Sequence, residues 1–130
     1  MAREDTVQKW LYHVREDIST ADCLFSNKHW LYVGFLCHQA IEKALKAYYV
    51  ANNDDDPPYT HSHTRLLSIC GLTDELTDEQ LRFIALMAPL YIEARYPEYK
   101  AETARVLNED TCRHIIKTTK ELIQWIEQKL

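Results

Sequence analysis

Apolar residues recur along the first part of the chain at alternating spacings of four and three residues. They are Val7, Leu11, Val14, Ile18, Ala21 and Phe25. Because this spacing places side chains on one face of an α-helix, the pattern predicts a helix over roughly residues 4–27. A second apolar set, from Trp30 to Tyr48, predicts another helix over about residues 30–52. The connection between them is short, which predicts an antiparallel pair of helices.

The segment between residues 52 and 58 breaks this helical pattern. It contains three consecutive aspartates followed by two prolines, and proline cannot continue a helix. We therefore expect an exposed loop here. Beyond the loop, the apolar positions within residues 62–70 predict a short helix that ends at Gly71, because glycine readily adopts the left-handed conformation at a helix exit.

Capping residues mark the starts of two more helices. Thr77 and Gln80 form a capping box, which predicts a helix over about residues 78–95, and Pro89 is expected to kink this helix because proline lacks an amide donor. Asn108 is expected to cap the last helix. The apolar face of the last helix is formed by Cys112, Ile115, Ile116, Thr119, Leu122, Ile123, Ile126 and Leu130. The sequence thus predicts an all-α fold, an antiparallel four-helix bundle with one additional short helix, as a single domain over residues 1–130.

Composition narrows the fold class and the range of partners. A chain of 130 residues with only two glycines and four prolines offers few tight turns, which disfavours a sheet with many hairpins. Its formal charge of −5 opposes non-specific binding to nucleic acid or to an anionic membrane, so any phosphate site must be local. The four cysteines are scattered and no long apolar run occurs, which indicates reduced thiols in a cytoplasmic protein without a membrane segment.

The helix after Thr77 is apolar on nearly all sides along the run from Phe83 to Ile92. One packed face would bury only half of this surface, so either the helix is central to the bundle or it lies against a second subunit. Both interpretations stay open for three residues. Phe83, Met87 and Leu90 are core residues in the first interpretation and a homodimer interface in the second.

Three further segments carry polar patterns that a plain bundle does not need, and they are Gln39–Ala47, Thr60–Leu67 and Tyr91–Glu98. In order and spacing they resemble the Gln-Ala-x-Glu-Lys-x-Leu-Lys-Ala, His-Ser/Asp-Leu-x-x-Leu and Tyr-x-x-Ala-Arg-Tyr-Pro-Asp motifs of the HEPN family, the higher-eukaryote and prokaryote nucleotide-binding helical domain. The resemblance implies a helical bundle, frequent homodimerisation and binding of a nucleotide or RNA phosphate. It also implies that the protein acts together with a minimal nucleotidyltransferase encoded as a separate partner, as in toxin–antitoxin systems.

Many members of that family are ribonuclease toxins, and the resemblance ties this activity to an Arg-x(4–6)-His motif near the start of the last helix. Such a motif supplies an arginine that holds phosphate and a histidine that transfers a proton. No histidine follows Arg95 or Arg105 at that spacing, and His114 lies nine residues after Arg105. The sequence therefore favours a binding module without catalytic residues. Two alternatives stay open. One is a ribonuclease with a displaced pair, in which Arg105 or Arg113 acts with His114. The other is a purely structural interaction domain that assembles through the apolar helix.

The predicted ligand-binding site lies between the second helix and the helix that begins after Thr77. Its residues are Gln39, Glu42, Lys43, Arg95 and Tyr96. The guanidinium of Arg95 can grip a phosphate with a fork of donors, and Lys43 would add a point charge. The alternative is structural, with Arg95 tied to Glu42 inside the bundle and the lysines of the second helix in a solvated ladder of salt bridges.

Two remaining patterns have mainly structural interpretations. His61 and His63 form a His-x-His pair of the kind that binds zinc, but no second ligand pair accompanies it. We therefore predict no metal and no cofactor, and a capping or packing role for His61. Arg113, Lys117 and Lys120 share one stripe of the last helix, which is either a solvated surface or the edge of an RNA groove.

Overall fold

The chain folds as a helical bundle in the computed structural model, which describes residues 2–93 and 106–130. Within those ranges there are five α-helices and no strand. The helices are α1 (Ala2–Ser26), α2 (Trp30–Asn52), α3 (His63–Ile69), α4 (Asp78–Glu93) and α5 (Glu109–Gln128), with one 3₁₀ turn at Thr73–Glu75. The all-α prediction is confirmed. None of the described helices is long and apolar enough to cross a membrane.

The central helix of the described bundle is α2, which contacts α1, α3, α4 and α5. The apolar pattern of α4 made it a candidate for this central position, but α4 packs mainly against α2 and α3. Small residues let other helices approach α2 closely, because Ala40, Ala44 and Ala47 are fully buried along it. Gly34 lets α4 approach α2 closely, since a Cβ atom at this position would lie only 2.9 Å from Leu90 Cδ1.

The caps that the sequence predicts are present. The Asn108 side chain accepts a hydrogen bond from the backbone N–H of Thr111 at 2.9 Å. Thr77 and Gln80 bond reciprocally, at 2.9 Å and 3.1 Å between backbone N–H and side chain. Gly71 has the positive φ of 71° that its position after α3 requires. These two sets of hydrogen bonds and the positive φ of Gly71 fix where three of the helices start or stop.

The apolar face of α5 is buried as its spacing predicts, with the exception of Leu130, which lies beyond the helix and is 44% exposed. On α4, the side chains of Phe83, Met87 and Leu90 are also buried, in the core of the single chain. Within a single chain, these three side chains are therefore core residues. The exposed apolar residue of this helix is Leu86, at 46%, and α4 continues through Pro89 without interruption of the helical assignment.

Candidate functional site

A buried carboxylate in the middle of α2 organises the polar cluster of this fold. Glu42 is only 4% exposed. One of its oxygens, Oε1, lies 2.9 Å from Nδ1 of His61, and the other, Oε2, lies 3.1 Å from Nζ of Lys46. Lys46 is itself buried, and its ammonium lies 5.9 Å from the centre of the Trp10 ring. Both oxygens of the carboxylate are thus paired in a protein interior, where an unpaired charge would be costly.

This pairing sets the orientation of the His61 imidazole. A carboxylate oxygen can only accept, so we assign the proton of the ring to Nδ1, where it is donated to Glu42. The other ring nitrogen, Nε2, does not contact Glu42 and can form a hydrogen bond with another group. The side chain of His61 is 33% exposed, so the arrangement presents an oriented imidazole at the surface of the bundle.

A series of stacked rings runs from His61 into the core. The ring centroids of His61 and Tyr91 are 4.3 Å apart, those of Tyr91 and His38 are 5.3 Å apart, and those of His38 and His63 are 3.8 Å apart. All three pairs are stacked within 30° of parallel. Tyr91 stands in the last turn of α4, and it also stacks against Phe35 at 5.9 Å. The stack therefore joins α2, α3 and α4 at the cluster.

The two inner histidines are neutral at physiological pH. Burial lowers the pKa of His38 to about 3 and the pKa of His63 to about 4, with the neighbouring imidazoles also lowering the pKa of His38. His63 Nε2–H donates to the backbone carbonyl of His38 at 2.9 Å. Nδ1 of each ring meets no hydrogen-bond partner among the described residues. These rings consequently act as buried, uncharged packing groups rather than as ion-binding groups.

The structure brings together only some of the residues predicted for the ligand site. Glu42 is at the centre of the cluster, and Gln39 is half-buried on the same helix. Lys43 lies on the α1 side of α2, where its ammonium pairs with Asp17 at 2.8 Å. Arg95 and Tyr96, together with their predicted contacts, lie outside the described residues. The pairing of Glu42 with Lys46 is present, but it is buried rather than solvated.

The two histidines of the His-x-His pair have separate partners, His61 with Glu42 and His63 with His38. Among the described residues, no group of three or more His, Cys, Asp and Glu side chains is arranged to hold a metal ion. His38 was not among the residues predicted from the sequence. The sequence did contain a signal for its place in the cluster, because His38, Glu42 and Lys46 follow one another at intervals of four residues on one helical face.

The alternative catalytic residues on α5 face different neighbours. Arg113 pairs with Glu109 at 3.0 Å and with Asp110 at 2.9 Å. His114 instead forms a T-shaped pair with the Phe83 ring, with centroids 6.3 Å apart. Arg105 lies outside the described residues.

The basic stripe of α5 is partly neutralised by carboxylates. Lys120 pairs with Asp22 of α1 at 3.1 Å, and Arg113 is held by the acidic first turn of its own helix. Lys117 lines a surface groove of about 620 Å³ between α4 and α5. That groove includes none of the residues of the Glu42 cluster. The stripe is therefore mostly a paired surface, and the buried, oriented cluster on α2 is the stronger candidate site.

The sequence model of the HEPN domain matches residues 7–129, which is nearly the whole chain. The chain belongs to the HEPN domain family. This family consists of helical nucleotide-binding modules, and the resemblance found in the sequence motifs is confirmed. No curated protein matches the sequence significantly.

Two solved structures share the HEPN fold seen here. One is TT1696 from Thermus thermophilus, with a TM-score of 0.81 and 21% identity, covering 95% of this chain and 98% of that chain. The other is ST0689, an archaeal HEPN homologue, with a TM-score of 0.68 and 19% identity, covering 95% of this chain and 96% of that chain. At these identities the similarity establishes the fold and does not assign a function to individual residues.

Proposed function

We propose that this HEPN protein is a nucleotide- or RNA-binding module of the cytoplasm that acts as a homodimer with a minimal nucleotidyltransferase partner. The ligand binds beside the Glu42 cluster, with His61 as the central contact. The observation that carries the proposal is the buried pairing of one carboxylate with both Lys46 and His61, at 3.1 Å and 2.9 Å. Buried ion pairs give little net stability compared with apolar packing, so their presence supports a role in orienting a surface group.

The chemistry of the cluster suits a ligand that combines an anionic group with an aromatic base. Nε2 of His61 offers one directional hydrogen bond to a base, and stacking on Tyr91 holds the imidazole in place. Arg95 and Tyr96 follow Tyr91 within five residues of sequence, and we assign phosphate binding to the guanidinium of Arg95. Lys43 is not included among the phosphate contacts because Asp17 already neutralises it.

Binding is tested by fluorescence anisotropy with labelled ATP and with a short single-stranded RNA. We expect His61→Ala and Arg95→Ala each to weaken binding by about 1–3 kcal/mol, because each removes a hydrogen bond to a charged or polar ligand group. Arg82→Ala is the matched control, since Arg82 is an exposed arginine of α4. Failure of the wild type to bind any nucleotide or RNA would remove the proposal.

For the homodimer, the candidate contact is the exposed side of α4 around Leu86. A charge at buried Met87 would disrupt the core rather than test association, whereas Leu86→Glu places a charge on the surface. We expect sedimentation velocity to show a dimer for the wild type and a monomer for Leu86→Glu. The control is Ile69→Glu on α3, because Ile69 is an apolar residue of similar exposure, 41%. A wild-type monomer rejects the dimer.

A further inference from the structure

We propose that Tyr59 is a base-stacking subsite that selects nucleic acid with unpaired bases. This inference rests on the proposed function, because it names the ligand class of the same site. The subsite consists of the open ring of Tyr59 and the neighbouring edge of His61. It would receive a purine or pyrimidine base, while the phosphate lies elsewhere.

The first observation is the position of the Tyr59 ring. Its side chain is 91% exposed, which is the largest value among the exposed large apolar residues of the described chain. The rings of Tyr59 and His61 form a T-shaped pair, with centroids 5.5 Å apart and planes at 69°. At this exposure most of the Tyr59 ring faces solvent, directly beside the imidazole that Glu42 orients. Exposed aromatic faces of this kind are the surfaces on which unstacked bases pack in nucleic-acid-binding proteins.

The second observation is that the loop carrying Tyr59 is firmly anchored. The Arg3 guanidinium donates to the backbone carbonyls of Val50 and Asp55, at 3.0 Å and 3.1 Å. The Tyr49 hydroxyl donates to the carboxylate of Asp55 at 2.9 Å. Two prolines then directly precede Tyr59 and restrict the backbone. The backbone that carries the exposed ring is therefore restricted, which lowers the entropic cost of binding a ligand on it.

Local charge indicates which part of a nucleotide this subsite takes. Asp54 and Asp56 are exposed carboxylates a few residues before Tyr59, and they repel a phosphate group. A base carries no net charge and is not repelled. Nε2 of His61 supplies one hydrogen-bonding group at the edge of the platform. The geometry thus favours the base at Tyr59 and places the phosphate away from the acidic loop.

A stacking platform also separates unpaired from paired nucleic acid. In a duplex both faces of each internal base are already stacked, so Tyr59 could reach only a base that is unstacked or terminal. Stacking is tolerant of base identity, because every base has an aromatic face. We therefore expect a preference for single-stranded RNA over duplex, with little sequence specificity at this subsite.

The experiment compares three labelled RNA probes by fluorescence anisotropy: a single-stranded oligonucleotide, the same backbone with abasic positions, and a duplex. We expect Tyr59→Ala to weaken binding of the single strand roughly tenfold, and to leave binding of the abasic probe unchanged. Tyr59→Phe keeps the ring and should retain the affinity of the wild type. Tyr12→Ala is the matched control, because Tyr12 is also an exposed tyrosine, 55% exposed on α1.

Each outcome separates this inference from the proposed function. If Tyr59→Ala binds the single strand as the wild type does, the subsite is wrong while nucleotide binding stands. If Tyr59→Ala loses affinity equally for the single-stranded and abasic probes, Tyr59 contacts the backbone and the assignment to a base is overturned. If the wild type binds none of the probes and no nucleotide, both the proposed function and the subsite fail.

Discussion

Acidification should destabilise this protein through two buried histidines. His38 and His63 are 1% and 3% exposed, with ring centroids 3.8 Å apart. Burial lowers the pKa of His38 to about 3 and that of His63 to about 4, from an ordinary value of 6.5. Below pH 6.5 the unfolded chain therefore binds protons at these rings that the folded chain does not. The stabilising effect of keeping the rings neutral is fully present above pH 6.5 and is lost progressively toward pH 4 and pH 3.

The size of the effect follows from the two pKa differences. Each ring contributes a slope of about 1.4 kcal/mol per pH unit while the unfolded form is protonated and the folded form is not. Between pH 6.5 and pH 4.5 the loss is about 2 kcal/mol for each ring, or about 4 kcal/mol for both. Because a domain of this size has a total stability of roughly 5–15 kcal/mol, such a loss is a large share of it.

The assay is urea unfolding followed by circular dichroism at several pH values between 7.5 and 4.5. We expect His63→Phe to reduce the slope of unfolding free energy against pH by about 1.4 kcal/mol per unit, because phenylalanine packs similarly and does not titrate. His38→Phe should act in the same way. His13→Phe is the matched control at an exposed position on α1. If both core variants keep the slope of the wild type, the assignment of acid sensitivity to this pair is refuted.

Two further predictions concern the packing around α2. Glu42→Gln should lower the free energy of unfolding by about 3 kcal/mol, because it leaves the buried Lys46 ammonium without its carboxylate. The control is Glu109→Gln, which breaks a pair whose side chains are more than half exposed. In the same urea titration it should cost under about 0.5 kcal/mol. Equal losses would contradict this reasoning. Gly34→Ala should cost about 1 kcal/mol net, since overpacking against Leu90 outweighs the gain in helix propensity. In thermal unfolding, adding Leu90→Val should recover part of that loss. A Gly34→Ala variant at least as stable as the wild type would show that the Leu90 side chain moves aside without cost.

The positions of the helices were determined by the sequence, because they depend on features within a few residues. The spacing of apolar residues placed α1, α2 and α5, and the side chains of Asn108, Thr77 and Gln80 marked where helices begin. Each of these signals acts through a hydrogen bond or a helical period of three or four residues. The family resemblance rested on the same local patterns, and it is confirmed over residues 7–129.

The partners of the polar residues were decided only by the tertiary structure. The sequence predicted Lys43 as a ligand contact near Glu42, but the rotation of α2 about its axis turns Lys43 toward Asp17 of α1 and buries the Glu42–Lys46 pair. That rotation is set by which face of α2 is buried. His61 reaches Glu42 across 19 residues of sequence. Its position depends on how the intervening loop is anchored, and no local period encodes such a contact between distant segments.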